Sequence, residues 1–212
     1  MALPQIVTTD HPGRKGFVRG MARLGIDVSR ETTDRLQIFV ETLTRWQKTI
    51  NLVGRATLDD VWARHILDSA QLLPLIPDKA ETLVDLGSGA GFPGLVMAAL
   101  APHLAVTLIE ADARKAAFLG EASRRMGLEK SPAIRIGRIE SVAPVKSDVV
   151  TARALAQGLC LAQKTHAVGV VACRAFEAGL AFAEGLAGDS GFAVTSGLPT
   201  ISPRIQLRHR AR

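Results

Sequence analysis

Cysteine is scarce in this 212-residue chain, where only Cys160 and Cys173 occur. Two are too few for a disulfide framework, and neither has a histidine at metal-ligand spacing, so no zinc site is expected. Both read as inert or buried thiols. Apolar runs of membrane-spanning length are also missing. Residues 1–12 lack the basic, apolar, small-residue order of a secretory signal, so the expected location is the cytoplasm. There is no internal repeat and no low-complexity tract. What is there is a chain 47% apolar with ordinary charge content, enough for one sizeable core or one core plus a small lobe.

Acids are outnumbered. Lys and Arg total 26 against 20 Asp and Glu, a net charge of +6, which suggests an acidic partner, nucleic acid ahead of an anionic membrane. Arg14, Lys15, Arg19 and Arg23 lie in one stretch without an acid. On a helix Lys15, Arg19 and Arg23 share a face and could meet RNA phosphates along a stripe; a solvated face is the plainer reading. Arg204, Arg208, Arg210 and Arg212 add charge at the far end.

The first third has helical periodicity. A short basic helix is expected over 13–24. Ser29 then reads as an N-cap, with Glu31 in the following turn. Leu36, Phe39, Val40, Leu43, Trp46 and Ile50 form the stripe of a long helix ending near Asn51. Thr57-Leu58-Asp59-Asp60 resembles a capping box for another helix, which Pro74 and Pro77 should stop. From Thr82 onward strands expected over 82–85, 105–110, 133–136 and 148–151 alternate with helices over 92–100 and 113–126, the latter ended by Gly127. That alternation predicts an α/β fold with a mostly parallel sheet.

After the first strand comes Asp85-Leu86-Gly87-Ser88-Gly89-Ala90-Gly91. A glycine-rich turn between strand and helix places a ligand at the carboxyl edge of the sheet, because glycine admits backbone angles and close approaches denied to other residues. Gly89 to Gly94 also satisfies the dinucleotide fingerprint. Asp85 leans the choice toward S-adenosylmethionine, whose ammonium and sulfonium suit a nearby carboxylate better than a pyrophosphate would. Glu110 ends the second strand, where an acid takes ribose hydroxyls of either cofactor. His65, Asp68 and Ser69 share a helix face; a mutually satisfied structural group is the better reading, a His65 general base the sharper one.

Four motifs stand in order: Trp46-Gln47-Lys48-Thr49-Ile50-Asn51-Leu52, Arg64-His65-Ile66-Leu67-Asp68-Ser69, Gly87 to Gly94, and Thr151-Ala152-Arg153-Ala154. Together, over residues 35–155, they resemble the glucose-inhibited division protein B family, bacterial methyltransferases that modify guanine N7 in 16S ribosomal RNA. The resemblance implies a Rossmann-like class I methyltransferase domain with an N-terminal helical extension, S-adenosylmethionine as cofactor, and 16S ribosomal RNA or the small ribosomal subunit as partner. It puts Gly87 and Phe92 on the family's binding positions in the glycine turn, Ile139 and Glu140 on those after the third strand, and Arg153 on the one after the fourth. The expected division is a helical lobe over 1–80 that contacts RNA and a cofactor-binding domain over 81–212, of which 156–212 departs from the family pattern. Neither a metal nor a catalytic base is expected, since guanine N7 carries a lone pair and no proton. A small-molecule methyltransferase, or a remnant that binds without turnover, are the alternatives.

Overall fold

Strands that are apolar at nearly every position, not at alternate ones, must be covered on both faces. In the computed structural model, which describes residues 12–143, 145–153 and the backbone of 171–174, β1 (Thr82–Leu86) and β4 (Val149–Arg153) are each buried at four of five positions. With β2 (Ala105–Glu110), β3 (Ala133–Ile136) and β5 (Val171–Arg174) they form a parallel sheet in the order β3-β2-β1-β4-β5. This is the Rossmann-like α/β architecture. The chain runs outward from β1 to β3 and then returns to add β4 on the other side, so the strand order switches between β1 and β4, where ligands bind in open sheets.

β2 and β3 fall on the expected residues, β1 runs one residue further, and β4 reaches Arg153. At the amino edge Asp148 clamps β1, accepting from the backbone N–H of Glu81 and Thr82 at 3.0 Å each and from Thr82 Oγ1 at 2.7 Å. These bonds, that from the Thr82 hydroxyl foremost, hold its carboxyl below the usual range. The segment over 156–212 that departs from the family pattern, with Cys160 and the terminal arginines, lies outside the described residues apart from the backbone of 171–174.

The N-terminal helices are α1 (Pro12–Arg23), α2 (Arg30–Trp46) and α3 (Arg55–Leu58), then a π-helical turn over Trp62–Leu67 that runs into α4 (Asp68–Ala70) and a 3-10 turn over Leu73–Leu75. Ser29 caps α2 as expected, accepting from Thr32 N at 3.0 Å. Two expectations are corrected. α2 stops at Trp46 instead of near Asn51, because the Gln47 side chain takes the backbone N–H of Leu52 and Val53 and turns the chain back. Thr57 caps no helix; it lies inside α3 and donates to Gly54 O at 2.8 Å. Among the described residues no helix is long and apolar enough to cross a membrane.

α5 (Gly94–Leu100) and α6 (Ala113–Met126) follow β1 and β2, and Gly127 ends α6 in the left-handed conformation at φ +59°. Phe17, Phe39 and Trp62 of the helical lobe belong to the same core as Leu83, Leu95 and Phe118. Residue 80 therefore marks a change of texture, not a gap between two cores. Phe39 is the hinge of this packing, its ring 5.0 Å from Phe92 and 6.3 Å from Phe118. Phe39→Ala should cost about 3–5 kcal/mol. Trp46 and Trp62 both lie in the lobe, so their fluorescence and far-UV circular dichroism should follow one urea transition in the parent and the variant; separate midpoints would show that lobe and sheet unfold independently.

Candidate cofactor site

The turn after β1 is tight because its backbone demands glycine. Gly87, Gly89 and Gly91 have φ of +66°, +54° and +83°, a region costly for residues with a Cβ. Gly94 is needed for space: a Cβ there would lie 2.4 Å from Leu108 Cδ2 and 2.7 Å from Asp85 Oδ2. Gly91 N donates to Ser88 O, and Ser88 N to Ile109 O on the neighbouring strand.

Asp85 is fully buried. Its Oδ1 accepts from Thr151 Oγ1 at 2.8 Å and its Oδ2 from Gly94 N at 3.3 Å. Burial pushes its pKa up to about 6, and the bonds from Thr151 and Gly94 offset part of that rise. Alternation along the strand puts Asp85 on the face of Leu83, toward α5, so it braces the turn from beneath.

Glu110 holds the turn from the side. Its Oε2 accepts from Gly89 N at 2.7 Å and its Oε1 from Asp112 N at 2.8 Å, and Gly137 N donates to its carbonyl at 2.9 Å. That last bond starts the segment carrying Ile139 and Glu140 beside the same edge. Ile139 is half-buried against Val84, Leu86 and Ile109, while Glu140 is exposed.

At the end of β4, Arg153 meets the helical lobe. Its Nη2 lies 2.7 Å from His65 Nδ1 and its Nη1 3.6 Å from Asp68 Oδ2. Its guanidinium carbon sits 5.1 Å from the Phe92 ring centroid, in reach of a cation–π contact. Phe92 is buried, stacked on His65 at 5.0 Å and tilted against Phe39; the structure makes it a core residue as well as a neighbour of Arg153. Arginine only donates, so Nδ1 must accept, and His65 is neutral with its proton on Nε2. That proton points to Thr57 Oγ1, 2.9 Å away. The ring is thus committed on both sides. His65 and Asp68 converge on Arg153; Ser69 Oγ donates to His65 O at 2.7 Å.

Residues 32–179 match the family model described as GidB: rRNA small subunit methyltransferase G. The chain belongs to this family. Proteins named ribosomal RNA small subunit methyltransferase G are similar to it: that of Jannaschia sp. is 55% identical over 132 residues, 60% of this chain and 62% of the relative. The Paramagnetospirillum magneticum protein is 56% identical over 131 residues, 61% and 62% of the two chains. The Cereibacter sphaeroides protein is 46% identical over 147 residues, 66% and 70%. The chain thus spans about 62% of the length of the first two. The family match runs past residue 155 and leaves out α1.

That omission bears on the basic stretch. Arg14 ion-pairs with Asp34 at 2.5 Å and donates to Thr33 Oγ1 at 2.7 Å, so it is spent on joining α1 to α2. Lys15, Arg19 and Arg23 are exposed, opposite the buried Phe17 and Met21. Thr57 and Thr151 stand in motifs the sequence offers, but no local pattern marks their partners, since Thr151 works through a residue 66 positions away.

Because the folded chain holds the Asp85 proton to about pH 6, against 3.8 for an ordinary aspartate, its contribution to stability is fully present below pH 3.8 and is lost as pH rises through 6. Relative to Asp85→Asn, the parent protein should lose on the order of 2–3 kcal/mol between pH 4 and pH 7, measured by urea unfolding across that range; parallel stability curves would refute the buried charge.

Proposed function

We propose that this protein transfers the methyl group of S-adenosylmethionine to N7 of a guanine in 16S ribosomal RNA, acting on the small ribosomal subunit in the cytoplasm. The observation that carries the reading is the glycine turn at the strand-order switch, closed on Glu110, in a chain of this family. The residues fit the cofactor. The backbone of Gly87, Gly89 and Gly91 leaves room for close approach. Each Glu110 oxygen keeps a second acceptor direction for a ribose hydroxyl. Ile139 and Glu140 stand where an adenine edge is read, and Arg153 can pair with a carboxylate. The bound cofactor supplies an electrophilic methyl on a sulfonium.

Guanine N7 attacks with a lone pair and releases no proton, so the protein has to align the acceptor and suit the charge that moves to it. The residues accord with that demand: His65 has both nitrogens committed, and Asp85 is sealed beneath the turn. Lys15, Arg19 and Arg23 present cations for RNA phosphates; Arg14 lends its charge while holding α1 in place.

Radiolabelled methyl transfer to small subunits lacking the modification tests the reading, with position-specific primer extension to locate the methyl group. Incorporation into small-molecule acceptors but not subunits would sink it, and so would calorimetric binding of NAD in place of S-adenosylmethionine. Glu110→Ala should weaken S-adenosylmethionine binding by about tenfold or more, the loss of a charge-assisted pair of hydrogen bonds.

His65 acts here as a positioning residue for Arg153. His65→Phe keeps the stacking on Phe92 but removes the acceptor; the KM for S-adenosylmethionine should rise about tenfold with little change in kcat. His65→Asn, whose amide oxygen can stand in for Nδ1, should restore KM to within about threefold. Equal defects in both variants would reduce His65 to a packing role.

A further inference from the structure

The motif Trp46 to Leu52 and the residues just after it do not belong to the cofactor site. They build a groove of about 460 Å³ between the end of α2 and the start of α3, lined among others by Lys48, Asn51, Gly54 and Arg55. Its volume lies in the range of small-ligand sites, about 300–1,000 Å³. Lys48 and Arg55 are exposed, and no acid lines the groove.

The walls are held before any ligand arrives. Gln47 Oε1 accepts from Leu52 N at 2.9 Å and Val53 N at 3.0 Å, and its Nε2 donates to Val53 O at 2.8 Å. Val53 is itself buried in the core. Gln47 Nε2 also donates to Asn51 Oδ1 at 3.3 Å, which leaves the Asn51 amide N–H groups as donors. A preformed loop avoids the ordering cost a flexible one would meet on binding.

The groove is also close to Arg153. Its Gly54 carbonyl accepts from Thr57 Oγ1 at 2.8 Å, Thr57 Oγ1 bonds His65 Nε2 at 2.9 Å, and His65 Nδ1 bonds Arg153 at 2.7 Å. Three hydrogen bonds and one imidazole ring therefore separate the groove wall from the carboxyl edge of the sheet, on the order of 10 Å, or roughly three stacked nucleotides. Two cations and an amide donor in a polar groove suit phosphate oxygens; there is no aromatic anchor of the kind protein partners use.

We propose that this groove is a subsite for the RNA acceptor, taking backbone phosphates of the strand within a few nucleotides of the reacting guanine, with Lys48 and Arg55 as the phosphate-binding cations and Asn51 as a donor. The inference rests on the ribosomal RNA reading. Unlike α1, these residues lie inside the span matched to the family.

The test uses the full chain and unmodified small subunits. Lys48→Gln/Arg55→Gln should bind subunits about tenfold more weakly, and the salt dependence of binding should lose between one and two counterions, about 0.7 for each lost single-strand phosphate contact. Calorimetry should show S-adenosylmethionine affinity unchanged within twofold, which also verifies the fold. Lys79→Gln/Arg124→Gln, two exposed cations elsewhere, is the charge-matched control and should bind subunits as the parent does. The proposal is overturned if the groove variant keeps parental affinity and salt slope, if the control loses as much, or if cofactor affinity falls with it. Failure of the parent chain to bind subunits at all, with S-adenosylmethionine bound normally, would instead remove the ribosomal RNA reading and the subsite with it.

Discussion

A carboxylate taken wholly out of water must be repaid by hydrogen bonds, and Asp85 is bonded where three elements meet. Thr151 reaches it from β4 and Gly94 from the start of α5, so one side chain fixes the strand-order switch and the entry to the helix after the glycine turn. Those bonds lower the cost of burial without cancelling it, as the raised pKa shows. The space they need is why position 94 has no side chain: a Cβ would strike both Asp85 and Leu108. Gly87, Gly89 and Gly91 then complete a turn that Glu110 holds from the next strand.

The helical lobe is a structural part of this edge. Phe39 packs on Phe92, and His65 stacks on that same ring while bonding Arg153. Arg153 ends β4 in a position set jointly by sheet and lobe: an arginine in solution would sample many rotamers, whereas here an imidazole, a carboxylate and an aromatic face restrain it. The lobe thus holds the Arg153 cation at the carboxyl edge of the sheet and shares its apolar core with the sheet.

Much of the framework was legible in the residues. The apolar stretches at 105–110 and 133–136 are strands as read, and α6 ends at Gly127 because only glycine adopts that left-handed angle cheaply. The turn was readable for the same reason. The end of α2 was not: periodicity continued through Ile50, but Gln47 diverted the chain by capturing two backbone donors further on. Thr57 looked like a helix cap because its neighbours fit the pattern, yet its partners are Gly54 and His65.

By itself, then, the sequence determined the order of strands and helices and the conformation of the glycine turn at the carboxyl edge of the sheet, since each follows from backbone preferences and periodicity within a few residues. Only the tertiary structure decided that Asp85 lies under the turn, that Arg14 is spent on Asp34, and that His65 serves Arg153 across 88 positions. Periodicity assigns a side chain to a face; which group waits on that face depends on how the strand order folds distant segments together.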